Sequence, residues 1–169
     1  MSEFCSLARR TLTRFVLEGK RPESLAPLGT RAGCFVSLHD SAGELRGCIG
    51  TIEPRRDDLS EEIVENAIAA GTRDPRFMPV EPGELAGLRV EVSVMQPLER
   101  IDGAIDLDVK RYGVVVEAGS RRGVLLPDLE GVDTVDRQLA IVKRKARIGA
   151  HEPIKLWRFE VEKYDERGS

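Results

Sequence analysis

The sequence predicts an α+β fold of antiparallel sheets with about three main helices, and three observations predict it. Alternating apolar segments come in pairs joined by short turns, the way antiparallel neighbours connect. Helical periods lie between these pairs instead of following each strand, as a doubly wound sheet would require. The chain has 169 residues, 41% of them hydrophobic, which suffices for a core without disulfides or a structural metal.

The elements follow in order. Phe4, Leu7, Ala8, Thr11, Leu12, Phe15 and Val16 recur at helical spacing, and Gly19 is placed to end that helix. Arg9, Arg10 and Arg14 fall off the stripe, toward solvent. Residues 19–33 carry Pro22, Pro27 and Gly29 and form a connecting loop. Cys34-Phe35-Val36-Ser37-Leu38 reads as a strand, residues 39–43 as a turn, and 44–49 as the return strand. If Leu38 pairs with Glu44, Cys34 falls opposite Cys48, and a one-residue slip destroys that match.

Asp58 is placed to cap a second helix, with Glu61 three positions on to complete a capping box. Leu59, Ile63, Ala67 and Ile68 form its buried face and Gly71 its end. A linker with Pro75, Pro79 and Pro82 follows. Leu88, Val90, Val92 and Val94 alternate with Arg89, Glu91, Ser93 and Met95, the clearest half-buried strand in the chain. Residues 114–117 and 124–126 read as two short strands about a turn. A third helix is expected over about 135–148, capped by Asp133 or Thr134. Trp157, Phe159 and Val161 alternate with charged residues in a last strand.

Charge narrows the function classes. The net charge is −3 with 33% charged residues of both signs, which argues against a globally basic nucleic-acid binder. No apolar run approaches the roughly 18 residues of a membrane span. The N-terminus carries Arg9 and Arg10 after its apolar residues and does not read as a signal peptide. Cys5, Cys34 and Cys48 are odd in number and irregularly spaced, so the expected compartment is the cytoplasm.

Several short motifs occur in a fixed order. Phe35-Val36-Ser37-Leu38 precedes Leu45-Arg46-Gly47-Cys48-Ile49-Gly50, and Asp74-Pro75-Arg76-Phe77 is followed by Pro79. Glu91-Val92-Ser93-Val94, Tyr112-Gly113, Leu125-Leu126-Pro127 and Lys145-Ala146 come later. In these motifs the chain resembles the AmmeMemoRadiSam system protein A family, the AMME chromosomal-region proteins, over about residues 4–165. It departs at Tyr112, where the family often has His, and at Arg147, where it often has Gly. The resemblance implies one domain of two lobes, the larger built from both chain ends, with a cleft near the cysteine motif. It also implies Memo-like and radical S-adenosylmethionine proteins as company, and with them modification of a nucleic-acid base or small metabolite.

The residues themselves set out the chemistry. On a regular strand Arg46 and Cys48 share a face with Cα atoms about 7 Å apart, where a guanidinium favours a thiolate. Gly47 and Gly50 leave backbone open to a ligand or to another chain segment. Asp74 adds a carboxylate, and Arg76 can grip a carboxylate or phosphate. Cys48, Arg46 and Asp74 are therefore the catalytic candidates, and Arg76, Gly47 and Gly50 the substrate-binding ones. Cys48 as a small buried hydrophobe is the competing reading, and Asp74 with Arg76 as a loop brace is another. Neither His39 nor His151 forms a recognisable Cys–His pattern, and no Cys or His pair has metal-ligand spacing.

Residues 137–158 hold seven Lys or Arg and one acid, Glu152. They suit a helix C-terminus, or a phosphate-bearing ligand or nucleic acid. No glycine-rich phosphate loop of Walker or dinucleotide type is present, and the cofactor is unknown from the sequence. Two functions stand side by side: an enzyme or enzyme component using Cys48, and a non-catalytic adaptor for Memo-like and radical-SAM partners.

Overall fold

The computed structural model describes residues 2–167. In chain order the elements are α1 (Glu3–Glu18), β1 (Cys34–His39), β2 (Leu45–Gly50), α2 (Leu59–Thr72), β3 (Arg89–Met95), β4 (Glu99–Ile101), β5 (Gly113–Ala118), β6 (Arg121–Leu125), α3 (Val135–Lys145), β7 (Lys155–Phe159) and β8 (Val161–Asp165). Short 3₁₀ turns lie at Pro82–Gly87 and Ala104–Asp106. The chain divides into two compact units, Met1–Met95 with Glu162–Ser169, and the inserted Gln96–Val161. The fold is α+β with antiparallel sheets and three main helices, as the strand pairing in sequence implied.

In the first unit a four-stranded sheet, ordered β2-β1-β3-β8, carries α1 and α2 on one face. Cys34, Val36 and Leu38 of β1 and Val90, Val92 and Val94 of β3 meet Leu12, Ile63, Ala67 and Ile68 there. Each Val, Leu and Ile side chain among them contributes roughly 1.5–3 kcal/mol by leaving water. Strand alternation sends the intervening residues to the opposite, helix-free face. That face is polar: Ser37 lies opposite Cys48 on one side and Glu91 on the other. Glu91 in turn meets Arg89 at 3.3 Å and Lys163 at 3.6 Å.

The second unit is a sheet ordered β4-β7-β5-β6 with α3 packed on β5 and β6. Val114, Val116, Leu125, Val142 and Leu156 form its core. Tyr112 is buried there, its ring facing the guanidiniums of Arg158 at 4.3 Å and Arg111 at 4.9 Å. The two ends of this unit are joined by a hydrogen bond from the Gln96 N–H to the Glu160 carbonyl at 3.0 Å.

Five local expectations are corrected. The β1–β2 pairing is offset by three residues from the predicted one: the turn sits one residue later, over 40–44, where the Asp40 carboxylate takes the Ala42 and Glu44 N–H groups, and a bulge at Arg46 adds the rest. Asp58 does cap α2, but its carboxylate binds the N–H groups of Ser60, Leu28 and Gly29 instead of forming a box with Glu61. Gly71 does not stop α2, which runs to Thr72; a Cβ at Gly71 would strike Leu12, so this glycine serves the α1–α2 approach. Helix α3 starts from Thr134 but ends at Lys145, with Arg147 in the left-handed region (φ 59°). The last predicted strand is two strands: β7 and β8 join different sheets and part at Glu160.

Candidate functional site

Cys48 sits on β2, the edge strand of the first sheet. Its thiol lies on the helix-free face, 3.2 Å from the Ser37 hydroxyl across the strand pair. An edge residue has a backbone N–H and C=O with no strand to receive them. Here the second motif takes both. The Asp74 carboxylate accepts the Cys48 N–H at 3.0 Å, and the Arg76 guanidinium donates to the Cys48 carbonyl at 3.3 Å.

Asp74 follows the C-terminus of α2 and its side chain is 1% exposed. One carboxylate oxygen accepts the Arg76 backbone N–H and Nε, both at 3.0 Å; the other accepts Arg76 Nη2 at 2.8 Å as well as the Cys48 N–H. Four donors saturate a carboxylate. The Arg76 side-chain bonds, above all, outweigh burial, and with the backbone donors hold the Asp74 pKa down at about 2. A carboxylate so engaged is a weak base, so its contribution is to place Cys48 and Arg76.

Arg46 does not turn to Cys48. Leu38 pairs with Gly47 and His39 with Leu45, which leaves Arg46 as the extra residue of a bulge and breaks strict alternation. Its guanidinium makes a two-pronged pair with Glu84, at 2.8 and 3.1 Å, and lies 6.0 Å from the Phe77 ring centre. Arg76 lies 5.4 Å from the same ring. Phe77 is thus a half-exposed platform beneath two arginines.

The two motif glycines are approached by the chain itself. A Cβ at Gly47 would overlap the Ala70 carbonyl oxygen of α2, and one at Gly50 would overlap the Phe35 ring on the paired strand. Cys34 is not opposite Cys48: its partner on β3 is Val94, so the conditional match of Cys34 with Cys48 does not form. Cys34 is fully buried beside Asn66, and burial pushes its thiol up to about 12. Cys5 is also fully buried, and burial raises its thiol too.

Sequence reasoning missed Ser37, Glu84 and Glu62. Glu62 is 2% exposed, and its carboxylate accepts the Thr51 hydroxyl at 2.6 Å and the Arg55 and Arg56 N–H groups at 2.9 Å. It pins the segment leaving the cysteine motif. The signal was legible, since Glu62 and Asn66, one helical turn apart, interrupt the apolar face of α2. Among the described residues no group of three or more His, Cys, Asp and Glu side chains could hold a metal ion. In the basic stretch, Lys143 and Lys145 donate to the Ala150 and Val124 carbonyls, and Arg158 pairs with Glu99.

The family model for AMMECR1 matches residues 5–164. The chain belongs to the AMMECR1 family. A relative from Thermotoga maritima is 48% identical over 163 residues, 93% of this chain and 94% of its own. Another, from Clostridium acetobutylicum, is 42% identical over 96% of this chain but only 36% of its own length. The crystal structure of the protein PH0010 from Pyrococcus horikoshii superposes with a TM-score of 0.88 at 33% identity, covering 98% of this chain and 92% of that one. The AMMECR1 fold is therefore common to both. Among the described residues no helix is long and apolar enough to cross a membrane.

Proposed function

We propose that this AMMECR1-family chain is an enzyme, or a component of one, with Cys48 as its nucleophilic or redox thiol. The observation that carries this reading is the contrast among three cysteines that form no disulfide. Cys5 and Cys34 are fully buried in the core, whereas Cys48 is partly exposed on the helix-free face. Its backbone is held at both polar groups by a motif of its own. A thiol that only fills space needs no such clamp.

Within this reading Arg76, whose side chain is more than half exposed, favours the thiolate and binds an anionic part of the substrate. Asp74 positions both groups, and Arg46 braces the Phe77 platform through Glu84. A nucleic-acid base or small metabolite is the substrate class, radical-SAM and Memo-like proteins are the partners, and the reducing cytoplasm suits three cysteines without a disulfide. The adaptor reading retains one supporting observation: Met78, 80% exposed beside Phe77, offers a partner an apolar contact.

The test is the rate of iodoacetamide labelling at neutral pH, read site by site by mass spectrometry. Cys48 should react faster than an unstructured cysteine peptide. A Cys48 slower than that peptide sinks the thiol chemistry. Capture of a Memo-like or radical-SAM partner equally well by Cys48→Ser and by the parent chain would then favour the adaptor.

A further inference from the structure

Away from Cys48, three arginines converge on one carboxylate. Arg21 pairs directly with Glu65 through Nη1, while Arg56 Nη2 lies 3.8 Å and Arg73 Nη2 3.6 Å from the same side chain. The arginine side chains are 49%, 50% and 55% exposed, and that of Glu65 is 25%. Of these three arginines, only Arg21 is within hydrogen-bonding distance of Glu65. The guanidinium forks of Arg56 and Arg73 face a carboxylate they do not bond, so the cluster holds more donors and more positive charge than Glu65 can satisfy.

The place is built, not a loose tangle of side chains. Glu62 fixes the Arg56 N–H at 2.9 Å, and Arg31 Nε holds the Arg56 carbonyl at 3.2 Å. Arg73 reaches back along α2 over about two turns to meet Glu65. A depression of about 210 Å³ opens beside Arg21 and Arg56, lined also by Pro22, Leu25, Val64 and the carboxylates of Glu61 and Glu65, and Arg73 approaches Glu65 from outside that lining. That volume is below the roughly 300–1,000 Å³ of a drug-sized pocket, and it suits a compact charged group with few atoms attached.

We propose that Arg21, Arg56 and Arg73 form a subsite for the phosphate group of a small phosphorylated ligand. Planar guanidinium forks match phosphate oxygens two at a time. A small ligand is favoured over nucleic acid because the cations meet at a point instead of running in a stripe, and because the whole chain carries −3. The site stands independently of Cys48 chemistry. Arg56 nonetheless lies six residues beyond Gly50, and Arg73 directly precedes Asp74, so both signature motifs feed into it.

The experiment titrates the full chain with inorganic pyrophosphate, following the arginine Nε–Hε resonances, with a single-stranded oligonucleotide as a second arm. Saturable shifts at Arg56 and Arg73 are expected. Binding should weaken about tenfold or more in the Arg56→Gln/Arg73→Gln double variant, the loss of two charge-assisted contacts. Glu65→Gln should tighten it several-fold, because that carboxylate competes for the same donors; a merely disturbed fold does not produce tighter binding. Cys48→Ser should bind like the parent. No saturable binding, an unchanged double variant, weaker binding in Glu65→Gln, or an oligonucleotide that binds more tightly than pyrophosphate through the same arginines each overturns the proposal.

Discussion

The Asp74 carboxylate accepts the backbone N–H of Cys48 at 3.0 Å, on the outer edge of the sheet. With Arg76 on the Cys48 carbonyl, the pair substitutes for a neighbouring strand at one position. Asp74→Asn should therefore cost roughly 2–3 kcal/mol at neutral pH, since a pKa lowered from 3.8 to about 2 corresponds to nearly two units at about 1.4 kcal/mol each. The sign follows from the depressed value: the contribution is complete above about pH 5 and is lost as pH falls through about 2. Urea unfolding between pH 7 and 2 should show a difference between parent and variant that closes toward acid. The freed edge should also make the variant associate with concentration.

Gly47→Ala places a methyl group on the Ala70 carbonyl oxygen of α2, and backbone cannot move aside cheaply. A loss of roughly 1–3 kcal/mol is expected. The urea midpoint should fall, and iodoacetamide labelling of Cys48 in the folded variant should remain faster than that of Cys5. A variant as stable as the parent would show that α2 yields there.

Cys34 should resist iodoacetamide at pH 8 until denaturant is added, because burial holds its thiol near 12. Its raised pKa also has a stability sign. The neutral buried thiol favours the folded state fully below about pH 9, and that contribution is lost as pH rises from about 9 toward 12. Replacing Cys34 with Ala should flatten this alkaline slope, measured by thermal melts between pH 7 and 11.

Arg147 holds φ 59° just past α3, where the Ile148 N–H bonds the Lys143 carbonyl at 2.8 Å and the Arg147 N–H bonds that of Arg144 at 3.1 Å. This is the helix stop in which glycine is preferred. Arg147→Gly should stabilise the second unit by up to about 1 kcal/mol, seen as a higher urea midpoint. An unchanged or lower midpoint would mean that the arginine side chain has found a compensating contact.

Much of the fold was legible because period-2 and period-3.6 patterns report burial directly. Val90, Val92 and Val94 announced β3, and the pair Asp133 and Thr134 announced the start of α3, of which Thr134 is the cap. Register was not legible, because it depends on Asp40 and a bulge at Arg46, and neither leaves an apolar trace. The same bulge misdirected the site. It sent Arg46 to Glu84, a residue 38 positions away that no local pattern connects to it. Asp74 and Arg76 were singled out as candidates from their motif, but their attachment to backbone instead of to the thiol is a fact of three dimensions. The break at Glu160 was hidden because Trp157, Phe159 and Val161 keep one alternation across two sheets.

The hydrogen bond between Gln96 and Glu160 bears on the order of folding. Strands β3 and β8 are neighbours in one sheet, yet the whole inserted unit lies between them in sequence. Bringing such distant segments together is a slow, entropically opposed closure while the insert is a random chain. An insert that folds first and ties its own ends converts that closure into a short one. Unit two then acts as a clasp: β8 should dock only after it forms, and variants that unfold the insert should slow completion of the first sheet.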